Sequence, residues 1–157
     1  MRHNCWANIV LIEFCAKLPA EQLTWTTPGT YGTIHATLRH IVFSEYGYLF
    51  ALTNELPVGP LLAPDQVLPL DELLRRARSN AERVEGAFAV DRDWALRFKR
   101  PSGAIITPRM SAAQFIHHGS DHRAHIGTIL GAHGLETPDL DVWAYGTDND
   151  AVKEERR

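Results

Sequence analysis

The sequence predicts an all-α protein: a four-helix bundle with a long crossover between its second and third helices and a small β-hairpin inserted before the fourth. Three observations carry this expectation. Apolar residues recur at threes and fours in four separate stretches, the spacing of helices with one buried face. The segment from Leu56 to Pro69 holds four prolines and cannot continue a helix. Between Trp94 and Met110 the period changes to short β-like runs about a Pro-Ser-Gly turn. At 157 residues, one domain spanning 1–157 is expected, long enough to bury most of its apolar surface.

The first helix is expected over about His3–Lys17, where Trp6, Ile9, Val10, Ile12, Phe14 and Leu18 fall near helical spacing, with Pro19 ending it. A turn-rich entry follows, with Pro28, Gly29 and Gly32, in which Thr30 or Thr33 can cap the next helix. The second helix, about Tyr31–Asn54, carries Ile34, Leu38, Ile41, Val42, Tyr46, Leu49 and Leu52 on one face. His40 shares its own face with Ala36, Phe43, Ser44 and Gly47. The proline-rich crossover leads to a third helix over Asp71–Phe88, with acidic residues in its first turn and Leu73, Leu74, Ala77, Ala81, Val84 and Phe88 inward. The hairpin pairs Ala95–Phe98 with Ala104–Thr107. Ser111 is expected to cap the fourth helix, with Gln114 completing a capping box, and His133-Gly134 to end it. The tail, with Leu140, Val142, Trp143 and Tyr145, is expected to fold back on the bundle before the last dozen residues fray.

Hydrophobic residues make up 45% and charged residues 22%, and a net charge of −3 gives no reason to expect a nucleic acid partner, so the partner is expected to be small. No apolar run approaches the ~20 residues that span a bilayer, and the N-terminus lacks a secretory signal pattern, so the expected location is cytoplasmic, away from the membrane. Cys5 and Cys15 lie about 15 Å apart along one helix, too far for a disulfide, and are expected to be reduced, half-buried packing residues.

The unusual residue is histidine, eight in all. His118 and His122, four apart on a helix, sit about 40° apart and one turn along the axis, so both rings can close on one metal ion. Buried histidines bonded to neighbours, or a solvated face, would show the same spacing, and the residues alone leave both readings open. Gly119 and Ser120 are poor helix formers in mid-helix, tolerated where something must approach the backbone closely. A third ligand must come from another helix, and His40 is the candidate. Three protein ligands with an open position describe a catalytic rather than a structural site, and neutral imidazoles suit zinc, nickel, copper or iron. Geometry permits His125 as a fourth ligand, though a role in the cavity wall or behind the ligands is preferred. Asp121 either orients an imidazole through its second nitrogen or forms a surface salt bridge. Arg123 is read equally as a surface ion pair or an anion anchor. Glu45, just past the His40 face, is expected to be exposed, or at most to reach a pocket rim. His3, His35 and His117 are read as surface or packing residues, and His133 as a cation at the helix C-terminus. No catalytic acid, base or nucleophile can be named.

Four segments carry a family resemblance: Asn4-x-Trp6-Ala7-Asn8; Pro28-Gly29-Thr30-Tyr31-Gly32-Thr33-Ile34-His35-Ala36-Thr37-Leu38-Arg39-His40; His118-x-x-x-His122-Arg123-x-x-Ile126-Gly127; and Asp139-Leu140-Asp141-Val142-Trp143. Together they resemble the DinB superfamily, also called DinB/YfiT-like, over nearly the whole chain. The resemblance implies a four-helix bundle, a divalent metal, commonly zinc or nickel, on His40, His118 and His122, and often a homodimer. It departs at Ala124-His125, where members often have Gly-Gln, which brings a fourth imidazole near the metal. By resemblance, the expected activity is metal-dependent activation of a low-molecular-weight thiol for S-transfer to a small electrophile. The alternatives are a metal-dependent hydrolase using metal-bound hydroxide and a stress-induced metal-binding protein without turnover.

Overall fold

A computed structural model describes residues 1–53, 66–99 and 103–150. Four long helices form the bundle: α1 (Arg2–Cys15), α2 (Ile34–Thr53), α3 (Leu70–Ala89) and α4 (Pro108–Ala132). A two-stranded antiparallel hairpin, β1 (Phe98–Lys99) and β2 (Ile105–Ile106), precedes α4, and a short α5 (Val142–Asp148) follows it. α2 packs most extensively against α4, and α3 lies against both α1 and α2. One core cluster, including Leu11, Ile34, Leu38, Leu73, Ile126 and Ile129, fills one part of the bundle. A second, built on Cys5, Leu49, Leu52, Val84 and Phe115, fills another.

The predicted periodicities translate into these faces, with shifts at the ends. α1 stops at Cys15, short of Lys17 and well before Pro19, its end closed by the Ala16 N–H on the Ile12 carbonyl. The chain then makes a single 3-10 turn at Gln22–Thr24. Gly29, at φ +86°, occupies the left-handed region that only glycine adopts freely, in the turn closed by Thr30 N–H on the Thr27 carbonyl. α2 begins at Ile34 rather than Tyr31. Thr33 is its cap, accepting from the Ala36 N–H at 3.1 Å.

Of the proline-rich crossover, residues 54–65 lie outside the described residues. Its last part, Gln66–Pro69, has no regular secondary structure and is tied to α2, where His35 donates Nε2–H to the Leu68 carbonyl at 2.7 Å and Arg39 donates to that of Gln66 at 3.0 Å. The Pro-Ser part of the hairpin turn also lies outside the described residues, and the strands are shorter than the predicted runs.

The N-cap of α4 lies four residues before the expected Ser111. Thr107 is the cap, accepting from the Met110 N–H, and Pro108 takes the first turn, where its missing N–H costs nothing. Ser111 is therefore buried inside the helix, and its hydroxyl donates to the Tyr48 carbonyl at 3.0 Å, which pins α4 to α2. His133 ends α4 with Nδ1–H on the Ile129 carbonyl and stacks on Trp25 at 4.1 Å.

The tail differs from expectation where it was expected to begin fraying. Asp141 caps α5, accepting from the Ala144 N–H at 2.8 Å. Leu140 and Tyr145 reach the bundle, Tyr145 edge-on to Trp6. Val142 and Trp143 are largely exposed, Trp143 at 73%. The last seven residues lie outside the described ones. Cys5 and Cys15 are free and fully buried rather than half-buried, and burial pushes the Cys15 thiol up to about 12.

Candidate metal centre

α2 and α4 run side by side, and their contact brings His40 to the His118–His122 pair. His118 Nε2 lies 2.9 Å from His40 Nε2, and one ring nitrogen from each of His40, His118 and His122 falls within 4.8 Å of the others. The ring centroids stand 4.4 to 4.7 Å apart in tilted or edge-to-face pairs. Two aromatic side chains wall the cluster. Tyr31, delivered by the Gly29 turn, stacks on His40 at 4.1 Å and stands edge-on to His122 at 4.9 Å, while remaining 50% exposed. Tyr48 stands edge-on to His118 at 5.5 Å. Ser44 Oγ lies 3.5 Å from His40 Nδ1, the position of a group that fixes a ring whose other nitrogen faces inward.

The three residues suit a divalent ion on two counts. Burial lowers the His40 and His122 imidazoles from their ordinary range. It lowers His118 to about 4, helped by repulsion from His122 and His40. All three rings are then neutral near pH 7, with lone pairs available. Two facing Nε2 atoms must otherwise share one proton between them. Tetrahedral bonds of about 2.0–2.1 Å place ligand nitrogens about 3.3 Å apart, a few tenths of an ångström from the observed separation. Nδ1 of His118 and of His122 is buried without a hydrogen-bond partner, so neither ring is tied to the protein through that atom. These histidines form a group that could hold a metal ion.

The other predicted residues fall around this group. His125, half-buried, touches His122 edge to face at 5.2 Å, and its own Nδ1 is buried without a partner. Asp121 is exposed and orients none of the three orphaned Nδ1 atoms. His117 is exposed, and His3 donates to the Leu140 carbonyl at 2.8 Å.

Arg123 is not a surface ion pair. It is buried and donates Nη1–H to Asn4 Oδ1 at 2.7 Å and to Asn8 Oδ1 at 2.6 Å, across the α1–α4 contact. Glu45 is likewise not exposed. It sits about 140° around α2 from His40, only 2% accessible. There it accepts from Asn4 Nδ2 at 3.0 Å, Asn8 Nδ2 at 2.8 Å and Asn80 Nδ2 at 2.9 Å. Full burial pushes its carboxyl up to about 8, against the pull of Asn80, Arg123, Asn4 and Asn8. Arg123, mainly through burial, is lowered to about 10.

These five side chains join all four helices, and Arg123 directly follows the ligand candidate His122. Gly119 makes room for them. A Cβ there would lie 2.2 Å from Asn4 Oδ1 and 2.9 Å from Arg123 Nη1. A cavity of about 710 Å3, lined by Phe50, Leu52, Arg92, Phe98 and Lys99 among others, lies beyond the far end of α2 and carries none of the imidazoles.

Compared with known families, residues 1–156 match the family described as the DinB family. No curated protein matches the chain.

Proposed function

The chain belongs to the DinB family, and from that premise we propose that it is a metal-dependent enzyme that activates a small thiol for transfer to an electrophile. His40, His118 and His122 are the proposed ligands, with zinc or nickel the proposed ion. The supporting observation is the convergence of three neutral imidazoles beneath a half-exposed tyrosine. A divalent ion held by uncharged ligands keeps its full charge and lowers the pKa of a thiol or a water toward neutrality.

The chain's own residues set the rest. Ser44 holds the His40 ring by its outer nitrogen, and Tyr48 closes the His118 side. Tyr31 forms the rim past which a substrate enters, its ring covering His40 and its edge meeting His122. The buried asparagine–glutamate–arginine network fixes the register of α4 against α1, and with it the height of His122.

The test is direct. Metal-loaded protein is incubated with bacillithiol, mycothiol or glutathione and monochlorobimane, and conjugate formation is followed by fluorescence. A rate well above that of His122→Ala is expected with at least one thiol, and equal rates with all three would end the transferase reading. Metal analysis of His40→Ala beside the wild type tests the ligand set, and equal stoichiometry would break it.

A further inference from the structure

α4 carries a second donor group beside the first. Asp121, His122 and His125 each place one donor atom within 4.8 Å of the other two. His125 lies one turn beyond Asp121 on the same side of the helix. His122 belongs to both groups, whereas His125 does not join the set built on His40 and His118. We propose that Asp121, His122 and His125 form a second divalent-cation site that shares His122 with the first, so that the chain takes up two ions side by side.

The donor set supports this. One carboxylate oxygen and two imidazole nitrogens suit zinc, nickel or copper, with water completing the shell on the side where Asp121 is exposed. An imidazole has two ring nitrogens, so His122 can give one to each ion, its N–H proton passing to solvent when the second binds. Nδ1 of both His122 and His125 is buried without a partner, which is the condition of a nitrogen awaiting one.

Charge also favours the arrangement. Two cations across one ring repel, and the His122 ring, once its N–H proton has left, carries one offsetting charge. Asp121 supplies the one carboxylate of the five side chains, and its field reaches both His118 and His122. No salt bridge among the described residues competes for it.

Stoichiometry decides the matter. Metal-free protein is titrated with zinc against a chromophoric chelator, and bound metal is measured after gel filtration. The wild type is expected to hold about two zinc ions per chain, and Asp121→Asn and His125→Gln about one each. One ion in the wild type, lost in His40→Ala and kept in both α4 variants, would overturn the second site and leave the three-histidine site standing. One ion kept in His40→Ala and lost in the α4 variants would overturn both the paired arrangement and the ligand set under the proposed function. Copper(II) gives an independent readout. A second equivalent is expected to reduce the integrated paramagnetic signal through coupling of neighbouring ions, and simple doubling of that signal would count against a shared His122.

Discussion

Gly119 shows how much one missing methyl group can decide. In the sequence it stands out as a poor helix former, tolerated where something must come close to the backbone. The structure supplies the visitor: Asn4 and Arg123 occupy the space a Cβ would take. Gly119→Ala is therefore expected to gain helix propensity yet lower unfolding free energy by about 2 kcal/mol, through overpacking and broken charge-assisted bonds. Denaturant titration measures it. Glu45 makes a second prediction, on the metal-free protein. Its carboxyl is held near 8 in the fold against an ordinary 4.5. Between those values the unfolded chain gives up a proton that the folded chain keeps, so stability falls as pH rises. His118, lowered to about 4 from 6.5, acts in the opposite sense and only below 6.5, where the unfolded chain takes up a proton the fold refuses. From pH 6.5 to 8 the Glu45 effect remains. Melting temperature is expected to fall across that window in the wild type and to stay flat in Glu45→Gln. None of this was legible in the chain: Glu45 meets asparagines 35 to 41 positions away, on two other helices. Only the fold reveals that a charged residue beside a histidine face has buried partners on its far side.

At the scale of the element, local signals are legible in the chain and distant ones are not. The His-x-x-x-His spacing of α4 follows from helical geometry alone and could be read directly. The start of α4 could not, because two cap-like signals compete, Thr107 before Pro108 and Ser111 before Gln114. Proline at the first position favours the earlier one, and the later hydroxyl turns to the Tyr48 carbonyl. Thr107→Ala is expected to cost about 1 kcal/mol, the ordinary value of a lost N-cap, and thermal unfolding reads it. α5 is hidden in the sequence for a different reason. Seven residues are too few to show a period or to hold a helix alone, and its most apolar members, Val142 and Trp143, face outward.

At the scale of the molecule, the bundle topology was legible because four amphipathic stretches of bundle length have few ways to bury their faces. The pairing of α2 with α4, which brings His40 to its partners, needed the resemblance as well as the pattern. If the histidines hold an ion, zinc at a hundredfold excess over its dissociation constant is expected to stabilise the protein by about 2.7 kcal/mol. His40→Ala is expected to lose most of that gain, and calorimetry with and without zinc distinguishes the two.

The approach of His40 to His118 has a consequence in time as well as in energy. The two residues are 78 positions apart, whereas His118 and His122 meet within one turn. An ion offered to the unfolded chain is caught by the local pair and closes no long loop. Offered to the folded chain, it links α2 to α4 across a loop the bundle has already closed, a link the unfolded chain does not make. If the His40 contact forms after the folding transition state, zinc is expected to leave the refolding rate nearly unchanged and to slow unfolding. Stopped-flow denaturant jumps with and without zinc would show a chevron whose unfolding limb alone moves, and the ion would act as a latch that governs how long the bundle stays shut.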